Sequence, residues 1–263
     1  MDIFDRQNQV GRFLALAFGI SWTSWLLAAI MPSLEAPLKI AGTFGPSSAA
    51  LILVWPHLQE RRELLSRLVR WRIPINVLLY ASALPVAGIL LALLTVRAIT
   101  GNGAVWPEPM LIWLPVVVFA YIMVFSVVGE ELGWRGLALP PLIARHGPIK
   151  ASLGLGLVWA IWHAPLFLLP GDFHNAIPPF LFAIQIVASS VIYTHLHLAS
   201  GGSLVPAHLF HASFNASAGL FPVLPQTRSG DLTALWFAVG TLCVIAVATV
   251  FVIRRRVRLS ASQ

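Results

Sequence analysis

Two adjacent carboxylates and an arginine stand at the end of a long apolar run, where residues 129–136 read Gly-Glu-Glu-Leu-Gly-Trp-Arg-Gly. An ionised group in a bilayer or an apolar core costs several kcal/mol unless it is paired, so charges there are usually paired or functional. Glu131 and Arg135 are four residues apart, which makes them neighbours on a helix and able to form an ion pair. Glu130 is rotated by about 100° and faces other surroundings. The segment indicates a functional site, with a charged helix end as the alternative.

Two later apolar runs also carry polar residues that a membrane span does not need. One contains Trp159 and His163, and the other contains His208, His211 and Asn215, which fall within about 60° on one helix face. A carboxylate can act as a general base, histidines can share its proton or bind a metal, and an amide can donate to an oxyanion. No serine or cysteine nucleophile motif, phosphate loop or His-Glu-x-x-His motif accompanies them. The set suits attack of water on a carbonyl.

The composition is that of a polytopic membrane protein, with 58% hydrophobic and 10% charged residues and a mean hydropathy of +0.82. A net charge of +7 would suggest nucleic acid in a soluble chain, but here the basic residues lie between apolar runs. We therefore expect lipid and no nucleic acid as a partner. The single Cys243 excludes an intramolecular disulfide and a cysteine-based metal site. Residues 1–263 are expected to form one integral membrane domain.

Apolar stretches long enough to span about 30 Å predict an all-α bundle of about eight transmembrane helices. The predicted spans are residues 13–31, 38–56, 74–97, 111–133, 151–170, 178–198, 203–224 and 233–253. An even number places both termini on one side, together with 14 of the 17 basic residues. The positive-inside rule makes that side cytoplasmic, in a multi-pass protein of a bacterial plasma membrane. The basic amphipathic stretch from His57 to Trp71 is expected to lie along the inner leaflet as an anchor.

The depths of the polar residues predict a cavity that opens to the cytoplasm. Pro140-Pro141 is expected to stop the fourth helix, which leaves Glu130 about 14 Å from its cytoplasmic end. The same arithmetic places His163 about 18 Å and His211 about 12 Å from the starts of their helices. His174 lies in a short outer loop and is expected to be solvated. Gly42, Gly45 and Pro46 predict a bend in the second helix.

The ordered motifs resemble a known family. Glu130-Glu131-x-x-x-Arg135, then Trp159-x-x-x-His163, then His211-x-x-x-Asn215 is similar to the CPBP or Abi family of intramembrane proteases, which includes the type II CAAX prenyl endopeptidases. The resemblance covers roughly residues 111–220, which would be the catalytic core. The family usually has Phe where this chain has Trp159.

The resemblance implies an endopeptidase that hydrolyses a peptide bond near the cytosolic leaflet. Glu130 would activate a water with help from His163. His211 and Asn215 would polarise the scissile carbonyl and hold the oxyanion. The supporting residues that position this group would be Glu131, Arg135 and Trp159.

Other readings stay open at this point. Glu130, His163 and His211 could ligate one divalent cation, with zinc the first choice, although Asn215 is a poor zinc ligand and favours the metal-free route. The resemblance also covers non-enzymatic membrane scaffolds and bacteriocin immunity factors. A proton-coupled transporter would more often show repeated broken helices, which this sequence lacks. The expected substrate is a membrane-associated peptide or protein, and the sequence does not indicate an oligomeric state.

Overall fold

The computed structural model describes residues 3–101, 111 and 113–261, and this part of the chain is a bundle of helices without strands. Two short π-helical stretches, Met123–Val127 and Leu132–Ala138, interrupt its fourth long segment. The α-helices are α1 Ile3–Ile30, α2 Glu35–Thr43, α3 Gly45–Val54, α4 Leu58–Ser66, α5 Ile75–Thr100, α6 Leu114–Ile122, α7 Val128–Glu131, α8 Leu139–Trp162, α9 Pro179–Ala199, α10 Val205–Leu220 and α11 Thr233–Ala261.

The prediction of an all-α membrane bundle is confirmed. Within the described residues, five helical segments are long and apolar enough to cross a membrane, or six if the bent pair of α2 and α3 is one span. The predicted count of eight is not confirmed and stays a prediction, as does the location of the termini. One of the five segments, Leu114–Leu168, is 55 residues long and covers most of two predicted spans, 111–133 and 151–170. Residue 112, in the first of these, lies outside the described residues.

The predicted bend in the second span is present. The Pro32–Thr43 and Gly45–Val54 segments meet at an angle of 50°. Pro46 occupies the first turn of α3, where a missing N–H is tolerated. Ser21 of α1 donates a hydrogen bond from its hydroxyl to the carbonyl of Gly42, at 2.7 Å. The broken span is therefore held against α1 at the position of the break.

The prediction that Pro140-Pro141 ends the fourth helix is wrong. Both prolines lie in the first turn of α8, directly after the second π-helical stretch, where the ladder of backbone hydrogen bonds is already shifted. Proline in a first turn removes an N–H that has no partner within the helix, so the helix continues. The break comes at Gly147, whose φ of 75° and ψ of 161° suit glycine.

The chain folds back on itself across this break. The indole nitrogen of Trp159 lies 2.8 Å from a carboxylate oxygen of Glu130, although the two residues are 29 positions apart. On one straight helix they would be about 44 Å apart. The part of α8 after Gly147 therefore runs antiparallel to α7 and brings Trp159 beside Glu130.

One end of the bundle, called the terminal end here, collects α4, the α9–α10 turn and both ends of the chain. Gln9 near the start of α1 donates a hydrogen bond to Glu60 of α4. Arg70 donates to the carbonyl of Gly201 at 3.1 Å. Near the end of α11, Arg256 is close enough to His195 to interact electrostatically.

The opposite end, called the distal end here, contains the α1–α2 connection and residues 163–178 and 221–232. The Nζ atom of Lys39 lies 2.5 Å from the Oδ2 atom of Asp172. Gln226 donates from its side chain to the carbonyl of Phe173. These contacts tie the distal connections to one another.

We predict that Gly133→Ala destabilises the protein. A Cβ atom at Gly133 would lie 2.5 Å from the carbonyl oxygen of Pro46 and 2.6 Å from its carbon, so backbone would have to move. Overpacking of this kind costs about 1–3 kcal/mol. The measurement is the midpoint temperature of unfolding in detergent.

The matched control is Gly154→Ala, because a Cβ there meets nothing within 4 Å. This variant should unfold at or slightly above the wild-type temperature, since alanine favours the helix. Equal midpoints for the two variants would contradict the close packing of Gly133 against Pro46.

Candidate active site

The predicted ion pair between Glu131 and Arg135 is present and fully buried. Nη1 of Arg135 lies 3.0 Å from Oε1 of Glu131, and the two side chains are 1% and 0% exposed. The guanidinium carbon also lies 4.0 Å from the ring centroid of Trp159 and 3.7 Å from that of Tyr193. Arg135 is thus held by one carboxylate and two aromatic rings on different helices.

The same carboxylate oxygen of Glu131 orients His211 of α10. Nδ1 of His211 lies 2.8 Å from Oε1 of Glu131. A carboxylate accepts hydrogen bonds, so Nδ1 carries a proton and Nε2 is the other functional atom of the ring. Because His211 lines the internal cavity described below, its ring is positioned there by a buried charge.

Glu130 has a different hydrogen-bond partner from that of Glu131. Its Oε2 accepts a hydrogen bond from the indole N–H of Trp159 at 2.8 Å, and the residue is only 3% exposed. The tryptophan that replaces the usual phenylalanine therefore contacts the candidate base directly. Phenylalanine has no N–H, so this hydrogen bond depends on the departure from the family pattern.

His163 stands at the end of α8 and is held by backbone. Its Nδ1 lies 2.8 Å from the carbonyl oxygen of Trp159, so Nδ1 carries the proton and Nε2 can accept one. Its ring also packs edge-on against Trp162, at 4.7 Å between centroids. The orientation of His163 is thus fixed by the last turn of α8.

One cavity of about 940 Å³ brings the predicted residues together. Glu130, His163, His211 and Asn215 all line it, and Trp159 lies in the same wall. Asn215 is half-buried and lies one turn after His211 on α10. A carboxylate, two imidazoles and an amide therefore face one space, which has the volume of an ordinary ligand site.

His208 does not contribute to this cavity. Its Nδ1 donates to the carbonyl of Leu204 at 2.8 Å, which fits its exclusion from the family's motif. No group of three or more histidine, cysteine, aspartate or glutamate side chains in the described part of the chain is arranged to hold a metal ion. The donor set of Glu130, His163 and His211 is therefore not preformed as a metal site, and the metal alternative stays a prediction.

The cavity extends toward the distal end, whereas the sequence predicts an opening on the side of the two termini. Which of the two ends faces the cytoplasm stays a prediction. From the buried Glu130 it reaches Ser33, Glu35 and Phe173, and Phe173 is 51% exposed. The expected depths assumed a fourth helix that stops at Pro140. The helix in fact continues to Gly147. At the rise of an α-helix, the 17 residues from Glu130 to Gly147 span about 26 Å.

A second group at the cavity was missed by sequence reasoning. His174, expected to be solvated, is 4% exposed and lines the cavity. Its Nδ1 lies 2.6 Å from Oδ1 of Asp172, whose other oxygen pairs with Lys39. The ring of His174 is 5.9 Å from that of His163, centroid to centroid. The Asp-x-His spacing could have indicated this contact, because an aspartate that caps a short helix lies close to the residue two positions later. Here Asp172 caps the short helix that carries His174.

The comparisons with known proteins bear on the second half of the chain. Residues 112–217 match the family model described as type II CAAX prenyl endopeptidase Rce1-like. A protein named CAAX prenyl protease 2, from Methanococcus maripaludis, is 26% identical over 128 residues, which are 46% of this chain and 47% of that protein. The chain thus spans about half the length of the curated relative it matches.

The described residues thus form a membrane helix bundle in which carboxylate, histidine and amide side chains line one internal cavity. Over the matched segment, the chain is similar to the CAAX protease family. The match lies within residues 111–220, where the motifs resemble that family.

We predict an acid-dependent loss of stability that depends on Asp172. Burial alone would raise the pKa of this carboxyl group, but hydrogen bonds from His174 and Lys39 outweigh burial and lower the pKa to about 2. A lowered carboxyl pKa stabilises the fold above the unfolded pKa of about 4, and this contribution disappears as the pH falls to about 2. Its size is about 2 kcal/mol.

The Asp172→Asn variant lacks the titrating carboxyl group. Its stability is compared with that of the wild type at each pH. Unfolding in detergent between pH 5 and pH 2 should show the wild type losing its advantage over the variant as the pH falls. A stability difference that is the same at pH 5 and pH 2 would contradict the prediction.

Proposed function

We propose that this chain is an intramembrane endopeptidase that hydrolyses a peptide bond of a membrane-associated substrate. The observation that carries the proposal is the convergence of Glu130, His163, His211 and Asn215 on one cavity. The name of the relative from Methanococcus maripaludis and the matched family model support protease chemistry. Prenylated CAAX peptides and unprenylated apolar peptides are both candidate substrates.

Glu130 and His163 are the groups proposed to activate water. Glu130 keeps one carboxylate oxygen engaged by Trp159, which fixes the carboxylate plane. His163 offers an Nε2 lone pair, because its Nδ1 proton is committed to a backbone carbonyl. A water between them would give its proton to Glu130 while its oxygen bonds to the carbonyl carbon. Glu130 would then pass the proton to the leaving nitrogen as the C–N bond breaks.

His211 and Asn215 are the groups proposed to stabilise the oxyanion. The Asn215 amide can donate at any pH, whereas His211 must carry a proton on Nε2 as well as on Nδ1. The Glu131 carboxylate lies 2.8 Å from Nδ1 and holds the ring in position. The buried ion pair with Arg135 in turn holds Glu131 in place. Fixed donors of this kind act mainly on the transition state.

We predict that Glu130→Gln lowers turnover by about a hundredfold to ten-thousandfold, the range typical of a lost general base. Glutamine keeps a carbonyl oxygen for the Trp159 N–H, so the fold should persist. The assay follows cleavage of two internally quenched peptides of equal length, one a farnesylated CAAX peptide and one unprenylated and apolar, with detergent-purified protein.

The matched control is Glu63→Gln on the surface of α4, where Glu63 pairs with Arg67 and Arg70. This variant should retain wild-type turnover. Full activity of Glu130→Gln together with a wild-type unfolding temperature would reject the protease mechanism and favour a non-enzymatic scaffold. Metal content and turnover with chelator on the same samples test the zinc alternative, which requires stoichiometric metal and chelator-sensitive turnover.

We predict that Asn215→Ala lowers kcat by about a hundredfold to a thousandfold with little change in KM, because an oxyanion donor acts in the transition state. Ser213→Ala is the control, since Ser213 is a buried polar residue of the same helix. A raised KM with unchanged kcat would instead assign Asn215 to substrate binding.

A further inference from the structure

A third imidazole lines the cavity beside the groups proposed to carry out hydrolysis. His174 lies in the short helix Phe173–Ala176 and is 4% exposed. Its ring centroid is 5.9 Å from that of His163, and both residues line the cavity. Phe182 packs against both rings, at 5.0 Å from His163 and 5.1 Å from His174, centroid to centroid. The two histidines therefore lie side by side in one wall of the cavity.

The ring of His174 is oriented by a buried carboxylate. Its Nδ1 lies 2.6 Å from Oδ1 of Asp172, and its backbone N–H donates to the same oxygen at 3.1 Å. The other carboxylate oxygen of Asp172 contacts Lys39 of α2, so both oxygens are engaged. A carboxylate accepts hydrogen bonds, so Nδ1 of His174 carries a proton. In the neutral ring, Nε2 then holds a lone pair and can accept a hydrogen bond from a ligand in the cavity.

The spacing of the two histidines fits peptide groups that are close together along an extended chain. Successive residues of such a chain rise by about 3.3 Å, so rings 5.9 Å apart reach groups within about two residues of each other. With the scissile carbonyl held at Glu130 and His163, His174 lies beside a peptide group close to the scissile bond. Aliphatic residues, including Leu235 and Leu242, form other parts of the wall. A peptide N–H without an acceptor is costly in such surroundings, and His174 can supply the acceptor.

We propose that His174 is a substrate-binding residue whose Nε2 atom accepts a hydrogen bond from a backbone N–H of the peptide, within about two residues of the scissile bond. This inference rests on the endopeptidase function above. Asp172 and Lys39 are positioning residues, because they act through the ring of His174. The contact recognises an extended backbone and no particular side chain. It excludes proline at the contacted position, since proline has no N–H.

Two substitutions separate the roles of the two ring nitrogens. Asparagine can place its amide nitrogen at the position of Nδ1 and keep the bond to Asp172, whereas the longer glutamine can place an amide oxygen at the position of Nε2. Binding of a fluorescent, unprenylated apolar peptide is measured by anisotropy at about pH 8, where an ordinary histidine is neutral. A Glu130→Gln background keeps the peptide intact. His174→Asn should raise Kd about tenfold, and His174→Gln should raise it less.

The matched control is Asn175→Ala on the same short helix. Asn175 is exposed, and its amide donates to the carbonyl of Phe167 at 2.8 Å, so this variant removes a hydrogen bond of the loop. Its Kd should equal that of the parent protein. A rise in Kd equal to that of His174→Asn would reduce His174 to support of the loop and overturn the proposal. If His174→Asn does not fold, His174→Phe replaces it, because phenylalanine keeps a ring against Phe182 and has no ring nitrogen.

The hydrogen bond to the backbone is tested with the same peptide N-methylated at one residue at a time. Methylation of the contacted N–H should raise Kd about tenfold for the parent protein and little for His174→Asn, because the two changes remove one interaction. Additive effects at every position would overturn the proposal. Turnover of the unmethylated peptide by the wild-type protein tests the proposed function separately. A position coupled to His174 in a protein without turnover would support the contact and count against hydrolysis.

Discussion

The buried ion pair between Glu131 and Arg135 is the interaction on which the rest of the structure depends. Neither charge is tolerable alone in an apolar bundle, and removal of one partner from a buried pair costs about 3–5 kcal/mol. The surrounding groups come from three further segments: Trp159 from α8, Tyr193 from α9 and His211 from α10. Assembly of these helices therefore satisfies the charges, and the charges in turn fix the position of His211 beside the cavity.

The two π-helical stretches shift the backbone hydrogen bonds of the segment that carries Glu130 and can leave carbonyl groups without a partner within the helix. In a bilayer such groups must find partners within the protein. The hydroxyl of Thr43 donates to the carbonyl of Phe125 at 2.9 Å, and that of Ser47 donates to the carbonyl of Val128 at 2.7 Å. Gly129 allows the backbone at Thr43 to come this close. The bent α2–α3 pair thus supplies hydroxyl donors where the helix that carries Glu130 is irregular.

Sequence reasoning found the elements of this site whose constraints are local. A charge pair at four-residue spacing and histidines on one helix face follow from helical geometry, and the bend at Gly45-Pro46 follows from proline chemistry. The continuation of the helix through Pro140-Pro141 could not be found this way, because it depends on a shift in hydrogen bonding within the preceding turn. The burial of His174 depends on Lys39, which is 135 positions away in the sequence.

The direction of the cavity was missed for a related reason. Hydropathy assigns each residue a depth within its own helix but does not say which end of a bundle is closed by another segment. The stretch from His57 to Trp71 is predicted to be an anchor on the inner leaflet, and this stays a prediction. Its last part also closes the bundle, because Arg67 bonds to Gly136, six positions after Glu130. One basic segment therefore packs against the segment that follows Glu131 at the terminal end, while the cavity extends toward the distal end.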